Sequence, residues 1–234
     1  FLSMRQTEIS SLLKNGMAVC LPDVRGTGEL AASASRGPGA MSLAANVLML
    51  GGTLTGSRLK DSRTIFRWLG DQPGIDPEKI SFWGDSFSVP NNPGFEFHQS
   101  PGQQPGPVPQ RQAEPLGPFL ALLSALYEES SNAVACRGGL ISFSSVLEDN
   151  FCHIPQDVIV PGFLTVADIK DLVRSVIPRP VLIAEPVNGL NIRVSAGSME
   201  NVYGGIGDEL MLTDDAGSDL VAIWLTRQSR EKQQ

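Results

Sequence analysis

The sequence predicts an α/β fold: a mostly parallel sheet flanked by helices on both faces. Three observations predict it. Short apolar runs, such as "ISFW", "NAVACRGGLISF" and "RPVLIAEPV", alternate with segments of helical periodicity. The runs are too continuous for strands with one face in water, and parallel strands covered on both faces read this way. Polar turns follow the runs, at Asp23–Glu29, Gly84–Ser88 and Glu185–Asn191. Parallel strands need crossover connections, and the crossovers cover the sheet. Ligand sites in such sheets lie outside the C-terminal strand ends, where these turns fall.

Each element has its own local reason. Thr7 to Lys14 carries Ile9, Leu12 and Leu13 at helical spacing, and Asn15-Gly16 stops the helix. Met17 to Leu21 is nearly continuous in apolar residues and is expected as a strand buried on both faces. In the turn that follows, Asp23 and Arg25 are expected to bond to each other and to backbone, with Gly26 and Gly28 supplying conformational freedom. Ala40–Leu50 and Leu59–Leu69 are expected helices, the second with Ile65, Phe66 and Leu69 on one face. "DQPGIDPEK" is a loop punctuated by Pro and Gly. The spacing predicts strands at Ile80–Trp83, Ala133–Arg137 and Val181–Ala184, neighbouring and parallel with Met17–Leu21, and a helix over Leu116–Glu129. "DELMLTDD" is expected as the last strand, and "SDLVAIWLTRQ" as a final helix with Ser218 at its N-cap.

A chain of 234 residues fits one domain spanning 1–234, interrupted by a Pro/Gly/Gln-rich insertion at Val89–Pro115. Seven prolines in that insertion remove backbone donors and disfavour long helices or strands. The net charge of −7 argues against a nucleic-acid surface. No apolar run reaches the roughly 18 residues of a membrane span. Cys20, Cys136 and Cys152 lack CxxC spacing, and Cys20 and Cys136 lie in apolar runs where a thiol packs as a small hydrophobe. Two histidines without metal-ligand spacing point to no metal site. No signal-peptide pattern follows Phe1, and the compartment is not readable from the sequence.

Four stretches in order, "LLKNGMAVCLPDVRGTGE", "DSRTIFRWLGDQPGIDPEKISFWGDS", "ACRGGLISF" and "IPRPVLIAEPVNGLN", resemble the α/β-hydrolase superfamily, in particular acetyl xylan esterases and dienelactone-hydrolase-like esterases. On this alignment the family's first strands would precede Phe1, so they are missing from the sequence or replaced by another segment. The resemblance implies a carboxylic-ester hydrolase with a serine nucleophile, a small-molecule or carbohydrate ester as substrate, and no cofactor. A prolyl-peptidase-like domain shares the fold and is a further alternative.

The nucleophile pattern G-x-S-x-G is half present, as Gly84, Asp85, Ser86, Phe87 and Ser88. Ser86 is the candidate nucleophile, and the Phe87 N–H the candidate oxyanion donor. The competing role for Ser86 is to cap local backbone in a turn. "AEPLGPFLALLSAL" resembles the other half, the elbow and its helix, with Pro115 in the serine's place. An insertion has split the motif. For the acid, the best-matched position holds Asn188, and Glu185 is its charged neighbour at the strand end. An amide orients an imidazole by hydrogen bonding but cannot stabilise its positive charge. A turn role before Gly189 competes for Asn188, and a solvated strand-end carboxylate for Glu185. The family places its base near Thr213–Ser218, where this chain has no histidine. His153, with His98 in the insertion as second choice, would have to serve, and either is equally at home as a packing or surface imidazole. A catalytically inactive hydrolase fold with a binding or scaffolding role is therefore the alternative function.

Overall fold

The computed structural model describes residues 2–31, 38–94, 111–150 and 153–231. His98, Cys152 and the middle of the insertion lie outside the described residues. Four strands form one parallel sheet in the order β1 (Phe82–Asp85), β2 (Val134–Arg137), β3 (Val181–Ala184) and β4 (Leu210–Thr213). The register pairs Asp85 with Arg137, and Arg137 with Ala184. Seven α-helices are described: α1 (Leu2–Lys14), α2 (Pro38–Met49), α3 (Leu54–Gly70), α4 (Leu116–Tyr127), α5 (Ile169–Val176), α6 (Ala196–Tyr203) and α7 (Leu220–Glu231).

The strands alternate their side chains between two cores. Val134, Cys136, Val181 and Ile183 face α4 and α5, packing with Phe119, Leu122, Leu172 and Val173. Ala133, Ala135, Leu182 and Ala184 face the other way, against Leu12 of α1 and Val221 and Leu225 of α7. Every residue of β2 and β3 is buried, as a strand covered on both faces requires. The sheet, its parallel sense and its two helical layers match the α/β expectation.

Strands β2 and β3 fall where the apolar runs predicted, β1 lies two residues further on than expected (Phe82–Asp85, not Ile80–Trp83), and "DELMLTDD" supplies β4. Met17–Leu21 does not join them. Met17 and Val19 pack against the α1/α7 core, but Ala18, Cys20 and Leu21 are exposed, and no strand forms there. The apolar run has one covered face rather than two, because β1 is the edge of the described sheet on its side. Cys20 is accordingly exposed, whereas Cys136 is buried and burial pushes its thiol well up.

Two smaller expectations are also corrected. Arg25 pairs with Asp61 of α3 and not with Asp23. The hydrogen bond from Arg25 holds the Asp61 carboxyl below its usual range, and the same bond raises the guanidinium. Asp23 does tie its own turn, accepting from the Glu29 N–H at 3.0 Å. Helix α7 begins one residue later than a Ser218 cap would place it. Asp219 stands before Leu220, and its carbonyl accepts the first intrahelical bond, from Ile223.

Arg179 of the "RPVLIAEPV" segment fixes the end of α4. Its Nη1 donates to the carbonyls of Ala125 (2.6 Å) and Glu128 (3.1 Å) and to Ser131 Oγ (2.8 Å). Helix ends leave carbonyls without intrahelical partners, and a cation there also suits the dipole. Arg179→Met is expected to cost about 2 kcal/mol, measured by chemical denaturation.

Candidate functional site at the C-terminal edge of the sheet

Ser86 follows β1 directly. Its N–H donates to the Arg137 carbonyl at 3.0 Å, the last bond of the β1–β2 ladder, whose register ends at Asp85. Its hydroxyl accepts from the Ser88 N–H at 3.3 Å. An elbow serine sits on a sharp, strained turn. Among the described non-glycine residues, positive φ occurs at Glu185 (52°) and Asn191 (58°), and not at Ser86.

The glycines of the split motif do meet. A Cβ on Gly84 would lie 2.6 Å from Pro118 Cα and closer still to the Gly117 carbonyl, and a Cβ on Gly117 would lie 2.5 Å from the Asp85 carbonyl oxygen. Strand β1 and helix α4 therefore approach backbone to backbone, as the strand and helix of an elbow do. Helix α4 starts at Leu116 after Pro115, and Pro118 offers no N–H. An apolar cavity lined by Pro115, Phe119, Cys136 and Pro186, and not by Ser86, holds about 10 Å³, room for about one water.

On the other face of the strand end lies a charge network that the sequence reading missed. Asp85 receives Arg5 Nε (2.6 Å) and Nη2 (3.1 Å) from α1, and Arg137 Nε (3.2 Å) and Nη2 (2.9 Å) from β2. Glu8 of α1 takes both Nη atoms of Arg137, at 2.9 and 3.1 Å. Glu8 and Arg137 are buried, at 2% and 4% exposure. Burial alone would lower the Arg137 guanidinium, but its bonds to Asp85 and Glu8 outweigh that and raise it overall. Arg5 also lies over the Phe87 ring (5.1 Å), and Arg137 over the Trp83 ring (5.4 Å).

The remaining candidates fall into separate local settings. Glu185 ends β3 in a left-handed conformation. Its carboxylate is 3.2 Å from Arg193 Nη2, and its N–H donates to the Thr213 carbonyl. Asn188 Oδ1 accepts from the Leu190 and Ile192 N–H groups, both at 3.0 Å, which builds a turn. His153 is buried, its carbonyl accepts from the Ala113 N–H, and burial lowers its imidazole pKa. Among the described residues, the hydrogen bond to Ser86 Oγ comes from backbone and not from an imidazole. The base of the insertion is pinned to the Glu185–Arg193 loop. Asn91 Nδ2 donates to the Leu190 and Arg111 carbonyls, and buried Asn191 Nδ2 donates to the Val89 carbonyl and Ser88 Oγ.

No protein-family model matches the chain, and no curated protein sequence matches it. A solved structure does: a crystal structure of a proposed acetyl xylan esterase from Bacteroides fragilis, with a TM-score of 0.61 at 14% identity. The match covers 91% of this chain and 50% of that one, so the chain spans about half the length of its structural neighbour. The likeness shows the fold: a parallel α/β sheet flanked by helices, shared with that structure. Among the described residues, no helix is long and apolar enough to cross a membrane.

Proposed function

We propose that this chain is a hydrolase-fold protein in which Ser86 is no longer an effective nucleophile, and that its role is binding or assembly. The carrying observation is that the chain does not turn into α4 after Ser86: α4 starts only at Leu116, and the Ser86 N–H is given to the Arg137 carbonyl at the end of the β1–β2 ladder. A serine hydroxyl is a weak nucleophile unless a base activates it. Here the Ser86 hydroxyl is held by a backbone N–H, and the turn asparagine at 188 has its acceptor oxygen occupied by backbone.

The strained backbone of Glu185 favours a second reading, since such strain gathers at functional sites. In it, the chain hydrolyses a small-molecule or carbohydrate ester, as proposed for the acetyl xylan esterase it resembles in fold, with Ser86 as nucleophile, the Phe87 N–H as oxyanion donor, His153 as base and Glu185 or Asn188 orienting it. Hydrolysis of an activated acetyl ester separates the two. The expected result is a rate close to the uncatalysed one, unchanged in Ser86→Ala, His153→Ala and His98→Ala. A rate that falls by about a hundredfold or more in Ser86→Ala would establish the esterase reading.

A further inference from the structure

We infer that Arg5 of α1 is a locking contact that holds the Ser86 segment in its extended, unreactive form. The inference rests on the reading of Ser86 above and adds the device that maintains it. One guanidinium grips both neighbours of Ser86. It makes a two-pronged ion pair with Asp85, at 2.6 and 3.1 Å, and covers the Phe87 ring at 5.1 Å.

An extended chain puts alternate residues on one face, so a segment that keeps the β1 direction past Asp85 presents Asp85 and Phe87 to the same side chain. A sharp turn at Ser86 would rotate Phe87 away from Asp85 and break the grip. The grip is anchored at its other end. Glu8, one helical turn from Arg5, is 3.6 Å from Arg5 Nε and makes two bonds to Arg137, whose carbonyl receives the Ser86 N–H. Helix α1 thus closes a circuit through Arg5, Asp85, Arg137 and Glu8 around the strand end. Arg5 is its most solvent-exposed member, with 20% of its side chain accessible against 3–9% for the other three. It is the member that can let go without opening the core.

The fork matters as well as the charge. A lysine in this place keeps a cation but loses the two-pronged geometry and the flat stacking surface. Native-state amide hydrogen exchange on the full chain reads the lock directly. In Arg5→Ala and in Arg5→Lys, the Ser86 amide is expected to exchange about tenfold or more faster than in the parent, relative to the Val134 and Val181 amides of the inner ladders. Phe87→Leu, which removes the ring and leaves every ion pair, is expected to raise Ser86 exchange in the same sense. A Ser86 amide that keeps the parent's ratio to Val134 and Val181 in the Arg5 variants would overturn the lock. So would Arg5→Lys behaving as the parent, which would leave only a charge role. Should Arg5→Ala fail to fold, Arg5→Lys and Phe87→Leu carry the test. Ester hydrolysis by the parent remains a separate measurement: an active parent removes the proposed function, while an unmoved Ser86 amide removes the lock.

Discussion

Gly84→Ala is expected to lower the unfolding free energy by about 3 kcal/mol or more, near the top of the range for overpacking a core. The new methyl would lie 2.6 Å from Pro118 Cα and nearer to the Gly117 carbonyl. Both are backbone atoms of the first turn of α4, so no rotamer change relieves the clash. Relief requires moving α4 away from β1 and β2, which opens the contacts of Phe119, Leu122 and Ala125 with Val134 and Cys136. Close packing in interiors makes even small displacements costly. Gly117→Ala is expected to act in the same direction, against the Asp85 carbonyl oxygen at 2.5 Å. Gly197 in α6 is the control: nothing lies within 4 Å of its added Cβ. There, alanine is expected to stabilise by about 0.5–1 kcal/mol through better helix propensity. Urea denaturation of the three variants checks the set. A Gly84→Ala protein within about 1 kcal/mol of the parent would mean that strand and helix do not meet at their backbones.

This pair of glycines shows how much of the molecule was readable in advance. Gly84 and Gly117 belong to two partial matches of one motif, and the sequence offered both halves without saying that they touch. Their contact is a tertiary fact, made across an insertion whose described ends hydrogen-bond to each other, Ser88 to Gln112 and Asn91 to Arg111. The inner strands were legible because burial on both faces leaves an apolar run with few polar interruptions, as in Val181–Ala184. Met17–Leu21 carries the same signal and is not a strand, because pattern reports apolarity and not whether a second covering layer is present. The charge network was missed for a related reason. Glu8 sits four residues before Leu12, on the buried stripe of α1, and Arg137 closes the apolar run of β2. A charge at such a place signals a buried partner, but partners that lie far apart along the chain leave no trace in local spacing. The absence of a histidine near Thr213–Ser218 was legible, and the structure adds that the Ser86 hydroxyl accepts from the Ser88 N–H.

The other large effect is expected at Arg58→Met. Arg58 is 1% exposed and lies in α3, where it donates to Asp157 Oδ2 at 2.8 Å and to the Arg25 carbonyl at 3.0 Å. Asp157 is 5% exposed, and among the described residues its other oxygen, Oδ1, has no hydrogen-bond partner. The aspartate's charge is therefore compensated chiefly from one side. Methionine fills much of the arginine's volume, so the loss is mainly electrostatic. Removing one partner of a buried pair leaves the other as an uncompensated charge, at a cost of about 3–5 kcal/mol. The Arg25 carbonyl loses its donor too, which loosens the Asp23–Glu29 turn from α3. Adding Asp157→Leu to Arg58→Met takes away the stranded carboxylate, and the pair of substitutions is expected to cost at least about 2 kcal/mol less than Arg58→Met alone. The measurement is a double-mutant cycle by chemical denaturation. Additive single effects would show that the two groups do not depend on each other, and that the α3 arginine is held by its backbone bond instead.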